Sequence, residues 1–547
     1  MDDVASRVRE LARVFAGGRL PVMQALCRRG HLSLLEFDGA GRRTSSGRSG
    51  ELFALLGEVE KLLRPAAEQR WLVIELRLDG AGGYEFRHTF ELDTVSPTQL
   101  VLDPDHRHPG HPRHPMPAPA GVAVVDRPTD PTVLATVRGL VDEFVARHTA
   151  RHGRPPEFDA GYSEEEILAA ESALGLRLPE DLRALYRTVR DDSKWNDLLG
   201  GQSLLPLDEV VAEHLDGVPG SYGWDDDLFT VNPVVFESYP AGRVRRISRS
   251  DWWVTIATDC SGNWWAVDLD PAPQGTPGQV IEYGRDLVGP VGYRAESVSA
   301  LLRHAVDALA GGTDHGPRRP VTGQPATVPP DTAGKKPRDR VPGVHVTARY
   351  SGGIDLGDRP VEVVVAGFDD PLAIQALYLN KGDFVDLAGL APLGNLRRVS
   401  INHVARVDLA LPHQLPVEAL SVDATVSTGL AGLAGHPTLW QLRLRNLTEP
   451  VSVAPLATLP ALSHLDLSAV EVTDLHLLAT LPRLRVLELN DRQWRYLRDH
   501  GGLPAALAGA VLSAHTSLLD ALDWSAWLRG TGPVGSVAAP VSGTLGG

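Results

Sequence analysis

A six-residue motif that returns about every 22 residues constrains this chain more than any other feature. The motif has the form Leu-x-x-Leu-x-Leu, whose alternating apolar positions suit a short, half-buried β-strand. It occurs as IQALYL from Ile374, LRRVSI from Leu396, VEALSV from Val417, LWQLRL from Leu439, LSHLDL from Leu462 and LRVLEL from Leu484. Successive motifs start 22, 21, 22, 23 and 22 residues apart. So regular a period predicts a solenoid in which each repeat adds one parallel strand.

The segments between the motifs agree with this interpretation. LAGLAPLGNL at 387–396 and LHLLATLPRL at 475–484 have the spacing of short helical turns. The array resembles leucine-rich repeats of the 22-residue bacterial type, in which a Thr/Ser-Asp pair precedes each turn, as at Thr473-Asp474. It departs from that type where an asparagine usually stands, at Gly382, Val404, Thr425, Leu447, Val470 and Arg492. The resemblance predicts an α/β leucine-rich-repeat solenoid.

The polar residues of each predicted strand point away from the core, onto a concave sheet. Repeat arrays commonly bind protein on this surface, and we expect a partner site there. The alternative is a solvated face without a partner. The candidate binding residues are Tyr378, Arg398, Arg443, Arg445, His464, Asp466 and Glu488. The same register predicts that Leu465 is buried and that Asp466 is exposed.

Residues 162–186, YSEEEILAAESALGLRLPEDLRALY, predict two short helices. Ser163 and Glu166 have the spacing of a capping box, which satisfies free backbone amides at a helix start. Gly175 suits the left-handed position that ends a helix, and Pro179 suits the beginning of the next one. We therefore expect a compact helical pair here.

This stretch resembles the opening of the SUKH superfamily, the Smi/Knr-like proteins. The matching residues are Glu166, Ile167, Glu171, Leu174, Gly175, Leu178, Pro179, Leu182 and Tyr186. Residues 204–214, 253–270 and 279–286 resemble later family strands and a helix, although Thr255 stands where members commonly have proline. The resemblance implies an α+β interaction platform. Bacterial members are immunity proteins that neutralise toxins, often nucleases, and fungal relatives act in cell-wall signalling.

The hairpin at 253–270 offers two candidate anchors for a partner. Val254 and Ile256 share the core-facing side of one predicted strand, so Trp253 points to the other side, as does Trp264 from the next strand. Exposed tryptophans commonly dominate interfaces, and Asp268 lies beside them in the pattern. The alternative is that a helix of the same domain covers both rings.

Clustered carboxylates suggest the charge of a partner. Trp224 is followed by Asp225, Asp226 and Asp227, and the two helices add Glu164, Glu165, Glu166, Glu171, Glu180 and Asp181. A basic toxin such as a nuclease would be attracted to such a surface. The alternative is that these carboxylates only cap helices and maintain solubility.

Composition limits the other function classes. The 547 residues carry a formal charge of -16, which disfavours nucleic acid as a partner. No apolar run is long enough to span a membrane. The two cysteines, Cys27 and Cys260, fit a reducing cytoplasm and cannot build a disulfide framework. We expect a cytoplasmic protein with a protein partner.

Pro- and Gly-rich segments divide the chain into a multidomain α+β protein. Apolar alternation near 72–92 predicts a β-hairpin packed under helices in the first domain. The predicted segments are 1–102, a small N-terminal α+β domain; 103–119, a His/Pro-rich linker; 120–310, the SUKH-like α+β domain; 311–343, a disordered linker; 344–529, the repeats; and 530–547, a flexible tail.

No catalytic or nucleotide-binding motif occurs, and we expect no enzyme activity, cofactor or metal site. His106, His108, His111 and His114 are too loosely spaced in a Pro-rich segment to predict a structural metal site. The leading hypothesis is an immunity-type protein that binds a toxin through its SUKH-like domain and has a second recognition surface on the repeats. The rivals are a signalling or regulatory scaffold without a toxin, and an undetected enzyme within residues 1–100.

Overall fold

The computed structural model describes residues 2–28, 31–38, 43–92, 98–217, 228–229, 233–285, 291–310, 344–348, 351–513, 518–530 and 540–545. They belong to two compact units. The terminal unit comprises residues 1–106, 422–436 and 440–547, and the central unit comprises residues 107–421 and 437–439.

The terminal unit begins with an α+β fold that matches the predicted class. Its elements are α1 (Asp2–Ala16), β1 (Val22–Arg28), β2 (His31–Phe37), β3 (Arg43–Thr44), α2 (Ser49–Leu63), β4 (Trp71–Leu78), β5 (Gly83–Leu92) and β6 (Gln99–Val101). Leu11 and Phe15 of α1 are fully buried, and they pack with Leu52 of α2 against one face of the sheet. Strands β4 and β5 form the predicted antiparallel hairpin.

The central unit contains an antiparallel sheet with helices packed on one of its faces. Its elements are α3 (Pro131–His152), α4 (Glu164–Leu174), α5 (Glu180–Tyr186), β7 (Ser203–Leu204), α6 (Leu207–Asp216), β8 (Trp253–Thr258), β9 (Asn263–Asp268), β10 (Gln279–Gly284), β11 (Gly292–Ala295) and α7 (Val298–Ala310). The strand order is β11-β10-β9-β8-β7. Val254 and Ile256 lie in the helix-covered core, as their spacing predicts.

Residues 107–119 pack against the sheet's domain, although the sequence predicts a linker without packed contacts. His108 and His111 are 2% and 5% exposed. The Nδ1 atom of His111 lies 3.0 Å from the hydroxyl of Ser248, and that of His114 lies 2.9 Å from the carboxylate of Asp251. These contacts satisfy one ring nitrogen of His111 and one of His114, which offsets part of the cost of burying the rings.

The central unit also holds the first strands of the repeat region. These elements are β12 (Val344–Ala348), β13 (Ser351–Gly357), α8 (Val361–Val365), β14 (Ala376–Gly382), β15 (Phe384–Asp386) and β16 (Arg398–Asp408). Strands β13, β14 and β16 are parallel neighbours, and the register pairs Leu379 with Ile401. A 3₁₀ turn, Leu387–Leu390, lies between β15 and β16. The predicted linker 311–343 lies outside the described residues.

The remaining strands continue the same pattern along the chain. The elements are β17 (Ala419–Ser427), β18 (Gln441–Arg445), β19 (His464–Ala469), β20 (Val486–Asn490), α9 (Asp491–Tyr496), β21 (Gly509–Ser513), α10 (Leu518–Arg529) and β22 (Val541–Thr544). Within the terminal unit, β18, β19, β20 and β21 are parallel neighbours. We call β14, β16, β17, β18, β19 and β20, the strands at the six motifs, the repeat strands.

Leu465 of β19 is 2% exposed, which confirms the predicted register for this residue. Strand β21 extends the parallel sheet beyond the sixth motif, and sequence analysis missed it. Its LAGAVL segment from Leu507 has Ala510 where the motif has a leucine, which hides the repeat. Strand β6 pairs antiparallel with β21 and covers its edge, which limits pairing with foreign strands.

Residues 518–530 and 540–545 complete the first sheet of the terminal unit. Strand β22 pairs antiparallel with β5, with Val541 opposite Phe86. Leu519 and Leu522 of α10 pack against Leu26 and Val73, on the sheet face that α1 and α2 leave uncovered. Sequence analysis predicts a flexible tail from residue 530, whereas residues 541–544 form a strand.

Candidate protein-interaction site

The capping box at the start of α4 forms as its spacing predicts. The hydroxyl of Ser163 accepts a hydrogen bond from the backbone N–H of Glu166 at 3.1 Å, and the Glu166 carboxylate accepts one from the N–H of Ser163 at 2.7 Å. Gly175 ends the helix with a left-handed φ of 70°. These local contacts fix the direction of α4 and bring its carboxylates toward α5.

A buried ion pair joins the two helices. Arg183 of α5 is 1% exposed, and its guanidinium donates to the fully buried carboxylate of Glu171. The other oxygen of Glu171 accepts from the N–H of Leu178 at 2.8 Å. Arg183 also donates to Glu164 at 2.8 Å. A buried charge needs this density of partners because its desolvation is costly.

The acidic residues of these helices are largely engaged within the domain. Burial alone would raise the pKa of Glu180, but hydrogen bonds from Arg177, the Asp130 backbone and Arg127 lower that pKa to about 2. The Asp181 carboxylate accepts from the N–H of Ser299 at 2.8 Å. Our expectation of a free acidic face on α4 and α5 was therefore wrong for these carboxylates. Glu165 is exposed.

Trp253 does not form an exposed anchor. Its side chain is 1% exposed, and its ring stacks on Tyr283 with centroids 5.7 Å apart. Trp264 is partly buried and stacks on the same tyrosine at 6.0 Å. The rings belong to a second core with Val244 and Val291, because the chain around those residues covers this face of the sheet. The expectation of an exposed pair is corrected accordingly.

Asp268 is also buried, which makes it a structural residue of the sheet. Its carboxylate accepts from the Gln279 side chain at 2.9 Å and from the N–H of Asp270 at 3.1 Å. Burial outweighs these hydrogen bonds and raises the pKa of Asp268 to about 6. Trp224, Asp225, Asp226 and Asp227 lie outside the described residues, so their predicted role stays a prediction.

Sequence analysis missed Trp195, which is 50% exposed. It lies between α5 and β7 with a φ of 55°, a left-handed conformation that bulky residues rarely adopt. Asp192, only 1% exposed, holds the loop. Its carboxylate accepts from the N–H groups of Asn196 and Leu198 at 2.8 and 3.0 Å. The signal in the sequence is a lone tryptophan in the polar run DDSKWND.

A rigidly held, exposed tryptophan suits protein recognition. Tryptophan is enriched among the residues that dominate interface affinity, and strained backbone often marks functional positions. Because Asp192 fixes the loop before binding, little ordering entropy remains to oppose association. Trp195 is therefore the candidate anchor that the geometry of this domain favours.

The candidate residues of the central unit's repeat strands interact with each other. The Arg398 guanidinium donates to the hydroxyl of Tyr378 and lies 5.2 Å from the ring centroid of Phe236. Burial is the main cause that lowers the pKa of Arg398. These two side chains are only partly accessible.

The candidate residues on the repeat strands of the terminal unit form a cluster of charged side chains across neighbouring strands. We call Arg443, Arg445, Asp466 and Glu488 the charged ladder. Asp466 lies 2.8 Å from Arg443 and 3.7 Å from Arg445, and Arg443 also lies 3.7 Å from Glu488. Burial and the carboxylate of Asp466 raise the pKa of Glu488. Asp466 is 5% exposed, so the expectation of exposure was wrong, because the neighbouring charged side chains cover it.

His464 is also buried, although the sequence predicts that it is exposed on this face. It is 3% exposed and packs edge-on against Trp440 at 4.9 Å, with the ring of His106 5.4 Å away. This face therefore offers Arg445 and parts of Arg443 and Glu488, rather than a full row of exposed side chains.

Among the residues that the structure describes, no helix is long and apolar enough to cross a membrane. The same residues contain no group of three His, Cys, Asp or Glu side chains that could hold a metal ion. Cys27 is a buried free thiol and Cys260 an exposed one.

An antiparallel sheet with helices on one face and a polar, tryptophan-bearing loop defines a domain of mixed α+β type. Residues 161–304 match the SMI1 / KNR4 family (SUKH-1). A Schizosaccharomyces pombe protein described as "Cell wall biosynthesis/cell cycle regulator smi1" is 31% identical over 134 residues, which are 23% of this chain and 27% of that protein. The chain thus spans about a quarter of the length of this curated relative. Residues 161–304 form a SUKH-1 domain, which suggests a regulatory or protein-binding role.

Proposed function

We propose that this chain is a non-catalytic protein-binding protein of the immunity type, whose SUKH-1 domain binds and neutralises a toxin protein. The observation that carries the proposal is Trp195, half exposed on a loop that the buried Asp192 fixes. The formal charge of -16 favours a basic partner, such as a nuclease that must itself attract phosphate. A cytoplasmic location is part of the proposal.

The repeat strands supply the second surface of the proposed protein. We infer that they form a leucine-rich-repeat solenoid within residues 344–529, because buried leucines recur with the spacing of the motif. Arg445, whose side chain is 45% exposed, is more accessible than its charged neighbours Arg443, Asp466 and Glu488. The domain boundaries inferred from the sequence, 120–310 and 344–529, belong to the same proposal.

The test uses the full chain and a toxin encoded beside its gene in the native genome. Co-expression with the wild-type chain should restore growth of cells that produce the toxin. Trp195→Ala should weaken binding by about tenfold to a hundredfold and reduce the rescue. Leu215→Ala, which truncates another exposed apolar side chain of the domain, is the matched control and should leave both unchanged.

Equal binding of the two variants would remove Trp195 from the interface. A second measurement addresses Asp225, Asp226 and Asp227: replacing all three by Asn should slow association and flatten its salt dependence, since charge steering is screened beyond about 8–10 Å. An unchanged association rate would leave these three carboxylates without a role in recognition.

A regulatory scaffold without a toxin is the second candidate. The observation that favours it is the similarity to the fission yeast protein described as a regulator of cell wall biosynthesis and the cell cycle. If no toxin gene lies beside the gene for this chain and the chain instead binds enzymes of its own cell through Trp195, the regulatory scaffold becomes the proposed function. Protein binding through Trp195 is retained in that case.

A further inference from the structure

The first sheet of the terminal unit is closed at one end and open at the other. Strand β22 pairs with β5 at the closed end. At the other end the two-residue strand β3 pairs only with Glu36 and Phe37 of β2. Among the residues that the structure describes, no strand pairs with the outer side of His31–Leu35. We call the backbone of His31–Leu35 the β2 edge.

The β2 edge lacks the features that usually protect an edge strand. An antiparallel strand directs half of its backbone N–H and C=O groups to each side, so the outer groups of this segment can pair with another strand. Native proteins commonly block such groups with charged side chains, proline or a covering element. The segment HLSLL contains no proline and no Asp, Glu, Lys or Arg. Leu32, Leu34 and Leu35 are partly exposed. The β2 edge is therefore suited to strand addition.

Helix α2 adds an apolar side chain beside this edge. It packs with α1 on the same face of the sheet and lies over β1 and β2. Glu58 of α2 pairs with Arg7 of α1 at 3.2 Å, which identifies the side of α2 that faces α1. Phe53 lies about 140° around the helix axis from Glu58, on the side away from α1, and is 40% exposed. A Cβ added at the neighbouring Gly57 would meet no atom within 4 Å, so the space beside Phe53 is open.

We propose that the β2 edge pairs antiparallel with the β2 edge of a second copy of this chain, which joins two six-stranded sheets into one. A twofold axis at Ser33 lets all five residues pair. Leu32 then lies opposite Leu34 of the second copy. His31 lies opposite Leu35. Apolar cross-strand pairs are stabilising, and no like charges lie directly opposite one another in this register. Such self-complementarity is what a twofold interface requires, and it favours a second copy over an unrelated strand.

The dimer should be weak and should strengthen with salt. Two phenylalanine rings supply only about 150–250 Å² each, and two five-residue strands keep the total near or below the ~1,200 Å² at the low end of specific interfaces. We expect a Kd of about 10–100 µM. Two chains with a formal charge of -16 repel each other, and salt screens this repulsion. The salt dependence is thus opposite to that expected for a basic partner.

Sedimentation velocity of the full chain tests the proposal. Between about 1 and 200 µM the wild-type chain should shift from monomer to dimer, and the dimer fraction should rise between about 0.05 and 0.5 M salt. A chain that stays monomeric under all these conditions would overturn the proposal and leave the β2 edge to a strand of another protein.

Charge variants at the axis localise the contact. Ser33 is partly exposed, and Ser33→Lys places two ammonium groups opposite each other, which should raise the Kd of the dimer at least about fivefold. Ser33→Glu should have the same effect. An equimolar mixture of the two variants should restore the dimer because opposite charges then meet, a result that misfolded variants would not give. Ser172→Lys, the same charge change at an exposed position of α4, is the control and should dimerise like the wild type. Equal dimerisation of Ser33→Lys and the control, or a mixture that stays monomeric, would contradict the pairing at Ser33.

Discussion

The SUKH-1 domain and the repeat strands of the terminal unit place their ion pairs in different environments. Arg183 and Glu171 have side chains 1% and 0% exposed, and each makes further hydrogen bonds inside the domain. Arg443 and Asp466 have side chains 17% and 6% exposed, with the 45% exposed Arg445 beside them. The first pair holds two helices together, whereas the second shapes a surface. The sequence alone therefore does not show whether a carboxylate joins two elements in the core or shapes a surface.

The largest loss of folding stability should come from a substitution in the apolar core beneath the charged ladder. Leu465→Asp should cost at least about 5 kcal/mol, because a buried, unpaired carboxylate is added to the loss of a packed leucine. Hydrogen exchange of the β18 and β19 amides in the full chain measures this loss. Leu372→Asp, at a 59% exposed position, should cost less than about 0.5 kcal/mol. Equal losses would contradict the register of β19.

Removal of one partner from the buried pair should have the next largest effect. Glu171→Ala should destabilise the α4 and α5 region by about 3–5 kcal/mol, because Arg183 then remains charged in the core. Glu165→Ala changes an exposed carboxylate on the same helix and should have almost no effect. The double variant Glu171→Met, Arg183→Met should recover most of the stability. Failure of that recovery would mean that the ionic character itself is required.

A smaller effect is expected within the ladder. Asp466→Leu should cost about 1–2 kcal/mol, since Arg443 loses a partner at 2.8 Å in a partly screened setting. Glu471→Leu breaks the exposed pair with Arg492 and should cost less than about 0.5 kcal/mol. Local hydrogen exchange compares the two variants. If Asp466→Leu proved as mild as Glu471→Leu, the ladder would be an ordinary solvated face.

These comparisons show what the sequence could and could not predict. The burial of Leu465 follows from the period of the motif, and the cap at Ser163 follows from local spacing. The exposure of Asp466 was predicted wrongly because strand alternation does not show what neighbouring strands place over a side chain. Trp253 was misjudged for a related reason, since the chain that covers it lies elsewhere in the sequence. Non-local contacts of this kind leave no periodic signal.

The smallest expected effect is on the pH dependence of folding stability, to which two carboxyl groups of the SUKH-1 domain contribute with opposite signs. Glu180 has its pKa lowered to about 2, so its contribution to stability is present above about pH 4.5 and is lost as the pH falls toward 2. Asp268 has its pKa raised to about 6, so the folded state binds the extra proton and stability falls as the pH rises from about 4 to 6.

Asp268→Asn tests the loss of stability that is expected between about pH 4 and 6. The substitution should abolish the decline between about pH 4 and 6, while the loss of stability below pH 4 remains. Thermal melting of the full chain across this range provides the measurement. An identical slope in the variant would show that another group titrates there.

The pairing of β22 with β5 has a consequence for the order of biosynthesis. Val541 is made roughly 450 residues after its partner Phe86. At about 5–20 residues per second, the first sheet must wait for tens of seconds on the ribosome before its last strand exists. During that interval the edge of β5 is open, and the face that receives Leu519 and Leu522 is uncovered. Until β22 is made, this open edge and uncovered apolar face are places where the nascent chain can aggregate.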